Sequence, residues 1–111
     1  METKRISELM KLLNAVQKDY FSRLQSVSLL ISPDIISKNE PLYEIFRGVV
    51  SFTERFTDFM RKDKDSSLHS IEDNLFVEIF VFESLLATMK GLEKDFTNLN
   101  EPGFQIKLNL N

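Results

Sequence analysis

The chain has no cysteine, no tryptophan, a single histidine, three glycines and three prolines among its 111 residues. Without cysteine there is no disulfide framework, no thiolate nucleophile and no thiolate-held zinc or iron–sulfur cluster. His69, the only imidazole, excludes multi-histidine metal sites; beside Ser67 and Ser70 it reads as an exposed residue in the first turn of a helix. Gly48, Gly91 and Gly103 stand too far apart to build a phosphate-cradling loop. Residues 63–74 begin with the alternating acids of a calcium loop, but Leu68 stands where glycine is needed and Asn74 where a bidentate glutamate belongs. No nucleophile is grouped with a base. The sequence therefore predicts no catalytic residue, no cofactor and no metal.

Long hydrophobic runs are also missing. The longest, residues 79–82 for example, fall far short of the roughly 20 residues that span a bilayer. The first 13 residues carry charges at Glu2, Lys4, Arg5, Glu8 and Lys11 and so lack the apolar core of a signal peptide. A soluble, intracellular protein is expected, cytoplasmic by default, with no transmembrane segment. The net charge is −3, and the Lys4, Lys11, Lys18 strip is interrupted by Glu8 and contains no interleaved aromatic residue. A nucleic-acid backbone is not the expected partner.

Phenylalanine is abundant instead, with ten copies against two tyrosines. Ile6, Met10, Leu13, Tyr20, Leu24, Val27 and Ile31 step by three or four, with Gln17 the one break and Leu9 and Val16 widening the stripe. That spacing predicts an amphipathic helix over 4–31. Ser32, Pro33 and Asp34 end it, and Ile35 and Ile36 in the link are expected to tuck against the end of the bundle. Asn39 or Glu40 caps a second helix over 41–62, with Pro41 in its first turn and a stripe of Leu42, Ile45, Val49, Phe52, Phe56 and Phe59. A third helix over 67–99 buries Leu68, Ile71, Leu75, Phe82, Leu85, Met89, Leu92, Phe96 and Leu99. The fold class is all-α: three long helices in an up-down-up bundle, or a helical hairpin that a second chain completes, with coiled-coil-like spacing.

After Glu101, Pro102 and Gly103 the pattern changes. Phe104, Ile106, Leu108 and Leu110 alternate with polar residues, the period of a strand. The expected organisation is a helical domain over 1–99 and an extended arm over 100–111.

Charge separates the helices. Residues 1–31 carry +2, residues 41–62 carry +1 and residues 67–99 carry −4. In an up-down-up bundle the first and third helices lie side by side, so this contrast favours their pairing over self-pairing of either.

Two groups of residues stand out on a helical projection. Glu78 falls inside the core stripe of the third helix, and a buried carboxylate needs a hydrogen-bond partner or a proton. Arg55, Arg23 and Tyr20, with Gln17 at the same height, form the polar layer expected to meet it. Phe76, Val77, Phe80 and Val81 lie off the core stripe, and one small core has no room for all of them. Together with the alternating Phe104, Ile106, Leu108 and Leu110 they make the expected interface. The function expected is that of a non-enzymatic assembly or adaptor subunit, pairing through its third helix with a second copy or another helical protein. The alternative is a regulatory bundle holding an apolar small molecule or lipid in a cavity lined by Phe and Met.

Overall fold

Pro33 both ends one helix and begins another. Ser32 takes an extended conformation (φ −138°, ψ 165°), and its Oγ accepts the Ile35 N–H at 3.3 Å. Pro33 then occupies the first turn, where its missing N–H costs nothing. The computed structural model describes residues 2–66 and 71–100, with side chains over 4–62 and 71–99. Within them lie four helices: α1 (Glu2–Leu30), α2 (Pro33–Lys38), α3 (Glu40–Ser66) and α4 (Ile71–Asn100). The expected link thus contains a helix, α2, too short to show a periodicity. Its Ile35 is buried, as the tucked link requires. Asn39 separates α2 from α3: its N–H returns to the Ile35 carbonyl at 3.1 Å, and its Oδ1 accepts the Leu42 N–H at 3.1 Å. The cap of α3 is therefore Asn39.

The architecture is a helical bundle. α1 and α4 run parallel and touch along their length, clamped at the amino end by Arg5–Glu72 (2.7 Å) and further along by Arg23–Glu93 (3.0 Å). These pairs realise the contrast between a basic and an acidic helix. α2 rests on both α3 and α4, whereas α3 meets α4 only sparingly. Among the described residues no Cα of α3 comes within 8 Å of one in α1. The core is built around α4, whose Leu75, Ile79, Phe82, Leu85, Met89, Leu92 and Phe96 face Leu13, Val16, Tyr20 and Val27 of α1. Phe82 is its aromatic hub, with ring centroids 5.8 Å from Tyr20, 5.9 Å from Phe21 and 6.0 Å from Phe56.

The stripe expected for α3 is rotated by about one residue. Leu42, Phe46, Thr53 and Met60 point inward, Val49 and Phe56 are half-buried, and Ile45, Phe52 and Phe59 are exposed. A stripe traced through apolar residues passes through Phe52, but the inward row runs through its polar neighbour Thr53, whose hydroxyl meets Tyr20 of α1. Met10 and Ile71, expected in the core, are exposed as well. Gly91 does not interrupt α4, which continues through it to Asn100. Leu68, His69 and the alternating tail after Asn100 lie outside the described residues.

Candidate functional site

Every second turn of α3 leaves an apolar side chain in solvent: Ile45, Phe52 and Phe59, spaced by seven residues. On α4 the exposed positions 77, 80, 84, 87 and 91 step by three and four, occupied by Val77, Phe80, Ser84, Ala87 and Gly91. Phe80 is 71% exposed. Between the two helices runs a groove of about 260 Å³, with Phe52 on one wall and Phe80, Val81, Ser84, Leu85 and Thr88 on the other. It exists because α3 stands off from α4, which leaves room between their outer edges.

The interface residues expected on α4 fall into distinct environments. Val77 and Phe80 are open to solvent. Phe76 is exposed on one side, while the Arg5 guanidinium lies 5.7 Å from its ring centroid; that contact joins the Arg5–Glu72 clamp. Val81 is half-buried against the core. Phe104, Ile106, Leu108 and Leu110 lie outside the described residues. The row on α3, expected in the core, is exposed. Its seven-residue spacing was the available signal, but spacing alone does not say which of two neighbouring rows turns inward.

Glu78 is buried within the core stripe of α4, as the projection expects. The polar layer expected around it is differently wired. Tyr20 bonds to Thr53 across the α1–α3 seam at 2.6 Å. The Thr53 hydroxyl donates to the Val49 carbonyl at 2.8 Å, so its single proton is committed and Tyr20 is the donor of the pair. Burial pushes the Tyr20 hydroxyl above the ordinary tyrosine range. Arg23 is held by Asp19 at 3.2 Å and Glu93 at 3.0 Å. Arg55 lies exposed on the outer side of α3. Only Gln17 shares a cavity with Glu78. The expectation failed because levels counted back from a turn give height along a bundle and say nothing of azimuth, which decides whether long side chains meet.

Among the described residues no three His, Cys, Asp or Glu side chains cluster to hold a metal ion, and no helix is long and apolar enough to cross a membrane. No protein-family model, curated protein or solved structure matches the chain.

Proposed function

We propose that the chain is a non-enzymatic helical assembly subunit that pairs with a second copy of itself through the outer face of α3 and α4. The observation that carries this reading is the groove between Phe52 and Phe80, with a row of exposed apolar residues on each bank. Exposed apolar residues also occur on α1, at Met10, Leu12, Phe21 and Leu29, but on α3 and α4 they flank a groove, an exposure that association removes. Beyond Phe80 the α4 bank narrows to Ser84, Ala87 and Gly91, small residues that let another helix approach closely.

Charge supports a second copy as the occupant. Residues 41–62 carry +1 and residues 67–99 carry −4, so a two-fold arrangement that sets α3 of one copy on α4 of the other brings opposite signs together. Arg55 lies between Phe52 and Phe59 along α3, and Glu83 follows Phe80 on α4; both are exposed. In that arrangement Arg55 of one copy faces Glu83 of the other.

Sedimentation equilibrium or light scattering tests the reading. A dimer is expected at micromolar concentration. Phe80→Asp and Phe52→Asp each convert it to a monomer with unchanged helical circular dichroism. Arg55→Glu weakens pairing and the double variant Arg55→Glu, Glu83→Arg restores it. A wild-type monomer at high micromolar concentration sinks the proposal and leaves a heterologous helix as the remaining occupant.

A further inference from the structure

A second cavity, of about 200 Å³, opens on the other side of α3 and shares no lining residue with the α3–α4 groove. It is walled by Phe56 and Met60 of α3 and Phe82 of α4, with Gln17 of α1 closing one side. Phe56 and Phe82 meet edge to face at 6.0 Å and 70°. Thr57 and Arg61 also line it, and α4 brings to it one acid, Glu78. The residue is 6% exposed, and no donor of the described residues reaches its Oε1. A buried carboxylate oxygen left without a donor is among the costlier features a core can contain. The donors that share the cavity, the Gln17 amide, the Thr57 hydroxyl and Arg61, leave Oε1 unbonded, and those of the expected polar layer are engaged elsewhere: Tyr20 is bonded to Thr53, and Arg23 to Asp19 and Glu93. Arg61, at the rim, is exposed and reaches Asp58 at 3.9 Å.

We infer that this cavity is a binding site for a small organic cation, a primary amine on a compact apolar or aromatic body, with Glu78 as its anchor. Size, polarity and charge each narrow the choice. An apolar protein cavity of about 150 Å³ accommodates benzene, so the space here admits one ring with a short arm. An ammonium group has three donors and no acceptor; it supplies what Glu78 lacks, and the oxygens of Gln17 and Thr57 are further acceptors in the same lining. Aromatic rings in the lining, Phe56 and Phe82, favour a cation over a neutral group of the same shape wherever it meets a ring face. A purely apolar molecule or lipid chain would leave the carboxylate unanswered, and an anion would be repelled by it. The chemistry of the lining thus separates this ligand class from the apolar one that the Phe and Met content alone suggests.

The test is a titration of the full chain, followed by the amide resonances in ¹⁵N–¹H spectra, with benzylamine, benzyl alcohol and benzoate as probes of one size and three charges. Benzylamine is expected to shift the resonances around Gln17, Thr57 and Glu78 saturably, at least tenfold more tightly than either of the other two. Glu78→Gln retains the shape of the side chain and is expected to weaken benzylamine at least tenfold, removing the preference for the cation. Thr57→Phe fills the cavity from its mouth and is expected to abolish binding with Glu78 intact, whereas Arg61→Gln, which removes a competing cation, leaves binding as tight or tighter. Benzylamine binding no tighter than benzyl alcohol in the wild type overturns the inference. So does binding undiminished by Glu78→Gln, or a set of shifts confined to residues away from the cavity.

Discussion

The seam between α1 and α4 and the seat of α3 are built from similar residues and could hardly differ more in closeness. α1 and α4 interlock along their length and are clamped by two cross-helix ion pairs. α3 stands off from α1, joined to it across the seam by the Tyr20–Thr53 hydrogen bond and the Phe56–Phe82–Tyr20 aromatic chain. The inward residues of α1 and α4 are matched row on row, whereas α3 turns Phe46, Thr53 and Met60 inward and leaves Ile45, Phe52 and Phe59 outside. Closeness follows from complementary stripes and complementary charge acting together. Hydrophobicity alone, of which α3 has ample, brings a helix to the core without seating it. The groove follows from the loose seating of α3 against α4, and the cavity from its loose seating against both α1 and α4.

Removing the hub that joins the two regions is expected to have the largest effect. Phe82 touches aromatic residues of both α1 and α3, and Phe82→Ala should cost about 3–5 kcal/mol in urea unfolding. A loss near 1 kcal/mol would mean that the aromatic chain contributes little to holding α3.

Cutting the α1–α3 bridge comes next. Tyr20→Phe removes a buried hydrogen bond while Thr53 retains its bond to Val49, at a cost of about 0.5–1.5 kcal/mol. The same residue sets an alkaline limit. Because burial raises the Tyr20 hydroxyl in the folded chain, the unfolded chain releases that proton first. The contribution of Tyr20 is therefore complete below about pH 10, the ordinary tyrosine value, and is lost as pH rises above it. Stability measured from pH 8 to 11 should fall less steeply in Tyr20→Phe than in the wild type.

A backbone change can be made in each region. A Cβ at Gly48 of α3 or Gly91 of α4 would meet no neighbour within 4 Å, so Gly→Ala at either position should stabilise its helix by about 0.5–1 kcal/mol. Native-state hydrogen exchange would locate the gain. In Gly48→Ala it is expected within α3, whose amides should exchange faster than those of the α1–α4 pair in the wild type.

The smallest effect is expected at the clamp. Arg23 and Glu93 are each about two-thirds buried at the side chain, and Glu93→Gln should cost under about 1 kcal/mol and become indistinguishable from wild type in high salt. A larger, salt-insensitive loss would show that the pair sets the register of the two helices.

Much of this arrangement was legible in local sequence. Ser32, Pro33 and Asn39 mark where helices stop and start because caps are decided by backbone groups within three or four residues. The burial of Glu78 and the exposure of Phe80 followed from angular position on α4, where Leu75, Phe82, Leu85 and Met89 mark the inward edge. On α3 the same procedure faltered because the buried row contains a polar residue, Thr53, whose inward position is fixed by Tyr20 of α1, whereas a stripe traced through apolar residues alone passes through its exposed neighbour Phe52. The partners of Tyr20 and Arg23 were illegible for a different reason: hydrogen bonds and ion pairs between helices depend on azimuth and axial offset to within an ångström or two, far finer than any count along the chain.

What the amino-acid order by itself determined is therefore the set of long helices, the caps between them, the pairing of a basic α1 with an acidic α4, and the exclusion of cysteine and multi-histidine chemistry. Each rests on interactions of short range or on composition. Only the tertiary structure decided which edge of α3 turns inward, that Tyr20 spends its proton on Thr53, and that Glu78 shares a cavity with Phe56, Met60 and Phe82. Those outcomes depend on how three rigid rods share one core, a problem in which each helix's orientation is settled by the surfaces of the other two.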